Sequence, residues 1–163
     1  MLAPDIYSMW ITTKAASDAK PGQFISVYTK DGSRLLPRPI SICEIEKEEG
    51  RLRIVYRIAG AGTEEFSHYE SGDSIEIMGP LGNGFPQEGE KVFLIGGGIG
   101  IPPMLELAKQ LNCEKQMVLG YRDANLFLKD EFESYGQVYA ATEDGSAGTK
   151  GNVLDAIKEH GLT

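Results

Sequence analysis

Gly96, Gly97, Gly98 and Gly100, in the stretch VFLIGGGIGIPPM from Val92 to Met104, have the plainest chemical meaning in this chain. Four glycines around a single Ile99 leave the backbone bare, so that a diphosphate can come close to amide N–H groups. The run Val92 to Ile95 before them is rich in branched and aromatic residues, as a strand covered on both faces would be. After them, apolar residues recur at Ile101, Met104, Leu105, Ala108 and Leu111, a helical spacing. Pro102 and Pro103 fall in the first turn, where a missing N–H removes no internal bond. The pattern predicts a strand, a glycine loop and a helix whose free amides and positive dipole end face the loop. The strict dinucleotide fingerprint places glycine sixth. Counted from Gly96 that position is Ile101, and counted from Gly98 the pattern reads G-x-G-x-x-P, ending at Pro103. A close strand-to-helix packing corner would use the same glycines.

Two segments in the first half carry similar chemistry. Arg34-Leu35-Leu36-Pro37-Arg38-Pro39-Ile40-Ser41 enters a strand through two prolines, which fix the backbone and aim Arg38 and Ser41 reproducibly. Gly60-Ala61-Gly62-Thr63 opens the short run Glu64 to Tyr69, with Thr63 placed to cap it and the amides behind Gly62 forming a second anion seat. An ordinary loop accounts equally well for either segment. In RLRIVYRI, Leu52, Ile54, Tyr56 and Ile58 share one face, and Arg51, Arg53, Val55 and Arg57 share the other. That arginine face is either a solvated surface or the wall of an anion site.

The elements that position these groups change character along the chain. Ile6 to Thr13, Phe24 to Thr29, Pro39 to Ile45, Arg51 to Ala59 and Ser74 to Met78 read as strands separated by turn residues such as Pro21-Gly22 and Ser71-Gly72-Asp73. They predict a small antiparallel barrel. Gly79 to Gly89 is rich in glycine and proline, and beyond it strands alternate with helices. The strands are Val92 to Ile95, Gln116 to Leu119 and Gln137 to Ala141, and the helices Ile101 to Leu111, Asn125 to Tyr135 and Asn152 to His160. The expected fold class is β followed by α/β: a barrel domain over 1–88, then a parallel-sheet domain over 89–163. In the second domain a ligand belongs beyond the carboxyl ends of the strands, at Gly96 to Gly100, Gly120 to Asp123 and Thr142 to Ser146.

Composition excludes several classes. The chain has 163 residues, 41% of them hydrophobic, enough for a core. Sixteen Lys and Arg against 24 Asp and Glu give a net charge of -8, which argues against nucleic acid or an anionic membrane as partner. No apolar run is long enough to span a bilayer and the N-terminus does not resemble a signal peptide, so a cytoplasmic protein is expected. Cys43 and Cys113 have no second cysteine nearby and read as buried free thiols, leaving no metal site in this chain. Trp10 reads as core, His68 and His160 as surface or helix-end residues, and the run Glu44 to Glu49 as a solvated hairpin.

RPIS at Arg38 to Ser41, GAGT at Gly60 to Thr63, GPLGNGF at Gly79 to Phe85, GGGIGIPPM at Gly96 to Met104, GYRD at Gly120 to Asp123 and TEDGSAGTKG at Thr142 to Gly151 follow one another in that order. Over nearly its whole length the chain resembles the ferredoxin-reductase superfamily, and within it the electron-transfer subunits of dihydroorotate dehydrogenase B. The resemblance implies a FAD-binding barrel followed by an NAD(H)-binding domain. It implies that Arg38, Pro39, Ile40 and Ser41 hold the flavin, with Arg38 on its pyrophosphate and Ser41 near N5 in a catalytic role. Val55, Tyr56 and Arg57 would line the ring and its ribityl–phosphate chain, and Gly62 and Thr63 would bind pyrophosphate. Gly97, Gly98, Ile99 and Gly100 would hold NAD(H), with Arg122 and Asp123 near the adenosine ribose and Thr142, Glu143 and Asp144 closing the site. It further implies a [2Fe–2S] cluster, for which this chain has no ligands, and a hetero-oligomer with a catalytic FMN-type dihydroorotate dehydrogenase subunit of pyrimidine biosynthesis. Another ferredoxin-reductase-like complex, hydrogenase-associated or a ferredoxin:NADP oxidoreductase, or a non-catalytic flavin-binding module, would share these motifs. Family members continue past the equivalent of Thr163 with two more strands and a cysteine-rich loop. In the family's strand order, Val92 to Ile95 would then lie at an exposed edge here.

Overall fold

The computed structural model describes residues Met1–Thr163. They form two compact units, Met1–Phe85 and Pro86–Thr163.

The first unit is an antiparallel sheet of β1 (Ile6–Thr12), β2 (Phe24–Val27), β3 (Arg38–Glu46), β4 (Arg51–Arg57) and β5 (Ile77–Leu81), in the order β1-β4-β3-β2-β5. One helix, α1 (Ala61–Ser67), follows β4. Strand alternation decides what faces inward. Ile25, Val27, Ile40, Ile42, Leu52, Ile54 and Tyr56 meet Phe66 of α1 in a single buried core. A fully buried side chain of this kind stabilises the fold by about 1.5–3 kcal/mol.

The arginine face of β4 divides. Arg53 is 8% exposed; it donates to Glu44 Oε2 at 2.6 Å and to Ser8 Oγ at 2.8 Å, so neighbours on both sides hold it. Arg51 pairs with Glu46 and lies 4.7 Å from the Trp10 ring centroid. Two expectations are thereby corrected. The run does form a hairpin whose turn residues Lys47, Glu48 and Glu49 are exposed, but Glu44 and Glu46 on its first arm are half-buried partners of Arg53 and Arg51 rather than solvated, and Trp10 is 39% exposed beneath Arg51 rather than in the core. Cys43 is buried as expected, whereas Cys113 is only half-buried.

The second unit is a parallel sheet of β6 (Lys91–Gly97), β7 (Glu114–Tyr121), β8 (Gln137–Thr142) and the two-residue β9 (Thr149–Lys150), in that order. Helices α2 (Pro103–Gln110), α3 (Lys129–Glu133) and α4 (Val153–Glu159) alternate with the strands. Val118 and Ala141 pack against Ala156 of α4. Gly96, on the opposite face, packs against Ile101 at the entry to α2, so helices cover both sides. Asn152 caps α4 through the Leu154 and Asp155 amides, and Asp155 returns a bond to the Asn152 amide. The helix expected over Asn125 to Tyr135 shrinks to Lys129–Glu133, because Asn125 to Leu128 form turns and Leu128 takes a left-handed φ of 65°. β6 stands at the sheet edge, and Phe93 and Ile95 are 38% and 45% exposed. A strand covered on both faces is therefore not what forms. No helix is long and apolar enough to cross a membrane.

Candidate functional site

The residues that the motifs single out fall in both units. In the first, Arg38 opens β3 between Pro37 and Pro39. Its guanidinium lies over Gly62, so close that a Cβ there would run into it, and it donates to the Leu36 carbonyl. Gly62 is the buried second residue of α1. Glu64 N is the first amide to close a helical bond, on Gly60 O at 3.0 Å, so the helix leaves the Ala61, Gly62 and Thr63 amides without internal partners. Thr63 is not the cap expected of it: Gly60 holds the N-cap position with no side-chain bond, and Thr63, the third residue of α1, reaches back, its Oγ1 accepting from Ala59 N at 2.8 Å and donating to Gly60 O at 3.0 Å. Two segments about twenty residues apart in sequence thus converge on one seat, with a fixed positive charge above bare helix-start amides. A side chain at Gly62 would have to displace the Arg38 guanidinium.

Ser41 and Val55 are neighbours. The register that pairs Ile42 with Ile54 sets Ser41 beside Val55, on the side of the strand opposite Ile40 and Tyr56; Ser41 there is half-buried and Val55 is buried. The Ser41 hydroxyl makes no hydrogen bond within the chain. Ile40 and Tyr56 face inward instead, 7% and 3% exposed. The Tyr56 ring packs 6.1 Å from both Tyr7 and Phe66, and burial, with Tyr7 and Tyr69 nearby, pushes its hydroxyl up to about 12. These two residues support that side of the strand from behind. Arg57 is exposed at the end of β4.

In the second unit, β6 runs through Gly97 into a turn of 3₁₀ helix, Gly98–Gly100. The glycines differ in what they answer to. At Gly96 a Cβ would lie 3.1 Å from Ile101 Cα, so this glycine serves the packing corner. At Gly97 and Gly100 a Cβ would meet nothing within 4 Å, so nothing in the fold requires glycine there. A bare backbone facing open space is what a closely approaching ligand needs. Gly96→Ala should accordingly cost about 1–3 kcal/mol of stability, read as a lower urea midpoint, because a small-to-large change against backbone cannot relax freely; an unchanged midpoint would remove Gly96 from the corner.

The expected amides at the start of α2 are fewer than the pattern promised. Pro102 and Pro103 have no N–H, while Ile101 N donates to Gly98 O at 3.1 Å and Met104 N to Ile101 O at 3.0 Å. The donors left are those of the Gly98–Gly100 turn. Beside this loop, Gly97 pairs with Gly120 at the carboxyl end of β7. Glu143 N donates to Tyr121 O and Asp144 N to Arg122 O, at 3.1 and 3.3 Å, which stitches the loops after β7 and β8 together. Three of the residues placed here are occupied internally. Asp123 Oδ1 accepts from the Asn125 backbone and side chain, and Asp144 Oδ1 accepts from both Ser146 donors. Those Ser146 bonds hold the Asp144 carboxyl below the usual carboxylate range. Thr142 is buried and donates to Ala147 O at 2.7 Å. Arg122 and Glu143 are exposed.

Of the six arginines in the sequence, Arg34, Arg51 and Arg53 are bound to carboxylates. Arg38, Arg57 and Arg122 form no ion pair within a chain of 24 acidic residues, and these are the three that the motifs single out. Arg34 and Glu65, which face each other across 31 residues of sequence, were not anticipated, and no local pattern marks them.

No model of a protein family matches the chain. Among curated proteins it is 42% identical over 166 residues to the electron transfer subunit of dihydroorotate dehydrogenase B (NAD(+)) of Streptococcus pneumoniae, covering 97% of this chain and 65% of the relative. To the subunit of the same name from Bacillus caldolyticus it is 39% identical over 172 residues, covering 99% and 67%. The chain thus spans about two thirds of the length of these relatives. Among solved structures, the NADH-dependent reduced ferredoxin-NADP oxidoreductase studied for flavin-based electron bifurcation superposes with a TM-score of 0.88 at 33% identity, over 99% of this chain and 60% of that one. Phthalate dioxygenase reductase superposes with a TM-score of 0.68 at 25% identity, over 86% and 48%.

Proposed function

The chain belongs to the family of dihydroorotate dehydrogenase B electron-transfer subunits, and from that premise we propose that it binds FAD in its first unit and NAD(H) in its second, and moves electrons from the nicotinamide toward a partner dehydrogenase subunit of pyrimidine biosynthesis. The observation that carries this is the seat in which the unpaired Arg38 lies over Gly62 at the start of α1. Arg38 and the first α1 amides would hold the FAD diphosphate, bidentately in the case of the guanidinium. Ser41 would present its free hydroxyl toward N5 of the ring, the buried Val55 would back that surface, and Arg57 would meet the ribityl–phosphate chain. The Gly98–Gly100 amides would take the NAD(H) diphosphate, and the unpaired Arg122 is suited to its adenosine end. What FAD supplies when bound is the ability to accept a hydride and release electrons singly, and the protein's share is binding and orientation.

The donor set does not fit an iron–sulfur cluster. Cys43 and Cys113 belong to different units, and no group of three or more Cys, His, Asp and Glu could hold a metal ion. No step through a cluster is assigned to this chain.

Reconstitution with FAD followed by anaerobic NADH titration tests the proposal. The protein should turn yellow, and its visible absorbance should bleach with about one NADH per flavin. A chain that takes up no FAD would overturn the proposal. Flavin that binds but does not bleach would leave a flavin-binding module without turnover. The likeness to a ferredoxin-NADP oxidoreductase at 33% identity favours a second reading, in which the acceptor is ferredoxin. Faster reoxidation by ferredoxin than by a dihydroorotate dehydrogenase subunit would decide for it.

A further inference from the structure

The loop between β2 and β3 delivers Arg38 to its seat, yet apolar burial does not hold it: Leu35 and Leu36 are 82% and 80% exposed. Its attachments are polar and meet at one carboxylate. Glu65 Oε1 accepts from the Lys30 amide at 2.6 Å and from the Tyr69 hydroxyl at 2.6 Å, while Glu65 Oε2 accepts from Arg34 at 3.0 Å. Arg34 also donates to the Ala61 carbonyl at 2.9 Å, and Lys30 lies 4.6 Å from the Tyr69 ring centroid and 3.7 Å from Asp73. Glu65 stands three residues after Gly62 on α1, and residues so spaced share one helix face. The same face that carries the clamp therefore carries the seat.

We propose that Glu65 is the positioning residue of this seat: by clamping the loop through Lys30 and Arg34 onto α1, it fixes the guanidinium of Arg38 over Gly62. The inference rests on the FAD reading above. Arg34 has a second role in it. A bare carboxylate within a turn of a bound diphosphate would repel it, and the ion pair offsets that charge. The hydroxyl of Tyr69 first, with the Lys30 amide and Arg34, holds the Glu65 carboxyl below the usual carboxylate range, so the clamp is ionised at neutral pH.

The test uses the full chain with FAD as the titrant and trypsin as a probe of the loop. Glu65→Ala should weaken FAD binding about five- to tenfold, the size of a lost charge-assisted contact. Glu65→Gln, which still accepts from Lys30 and Tyr69 but presents an NH2 group to Arg34, should recover only a minor part of that loss. In an Arg38→Ala background Glu65→Ala should change FAD affinity less than about twofold, since it acts through Arg38. Without FAD, trypsin should cut Arg34–Leu35 several-fold faster in Glu65→Ala than in the wild type, while Arg38 is protected by the proline that follows it. Arg34→Ala, which frees the loop while leaving every α1 residue in place, should reproduce the affinity loss if Glu65→Ala folds poorly. Wild-type FAD affinity in both Glu65→Ala and Arg34→Ala, or full additivity with Arg38→Ala, overturns the inference alone. A wild-type chain that takes up no FAD overturns the parent reading and this one with it.

Discussion

Replacing Arg38 with alanine should weaken FAD binding about ten- to a hundredfold, with lysine recovering little of the loss. The magnitude follows from the contact proposed. A hydrogen bond to a charged group contributes about 1.5–3 kcal/mol, and each 1.4 kcal/mol is a factor of ten in affinity. Lysine keeps the charge but offers a point donor in place of a planar fork, and its flexible stem would not lie flat over Gly62. Stability should hardly change, because Arg38 pairs with no carboxylate and its one hydrogen bond goes to the Leu36 carbonyl in an exposed loop. Quenching of flavin fluorescence on titration into the apoprotein, with a thermal melt alongside, separates the two effects. Unchanged affinity would remove Arg38 from the FAD site. A melting temperature that falls in step with affinity would make it a structural residue.

Why was Arg38 legible beforehand when its clamp was not? The prolines on either side of it restrict the backbone within three residues, and such local restriction can be read directly. The same holds for the strand alternation of Leu52, Ile54 and Tyr56, whose inward face follows from period two alone. Glu65 is different. Its partners lie at Lys30, Arg34 and Tyr69, and only the packing of α1 on the β2–β3 loop brings the first two within reach. Arg53 and Glu44 make the same point, since both read as surface charges until register sets them opposite each other.

The errors in the second unit have a common physical origin. A helical spacing of apolar residues predicts helix over Asn125 to Tyr135, but the Asp123 carboxylate accepts the Asn125 amide, and this local turn competes with the helix until Lys129. By pattern, the prolines after the glycine loop are harmless to a helix start. They are, for the helix, but they also remove the donors that an anion would use there. A position neutral for folding can thus be costly for binding, and pattern alone does not separate the two.

Gly97 makes that separation testable. Valine at this position should raise the NADH concentration needed to bleach bound flavin at least about a hundredfold, while leaving the fold and FAD uptake intact. The fold should tolerate it for two reasons. Gly97 has φ -132° and ψ 133°, an extended conformation that valine adopts readily, and a Cβ there meets no atom within 4 Å. The proposed ligand should not tolerate it. A branched side chain would stand where the diphosphate must approach, keeping it from the Gly98–Gly100 amides; losing two charge-assisted bonds of about 1.5–3 kcal/mol each exceeds the roughly 2.7 kcal/mol that a hundredfold requires. Gly96→Val should behave in the opposite sense, losing stability first because its Cβ faces Ile101 backbone. Chemical denaturation of the apoproteins beside anaerobic NADH titration of the flavin-loaded forms distinguishes the pair. If Gly97→Val loses stability as Gly96→Val does, both glycines serve only the strand-to-helix corner. If it neither unfolds nor loses NADH, the open side of Gly97 faces solvent rather than nicotinamide cofactor, and the loop's role in binding falls.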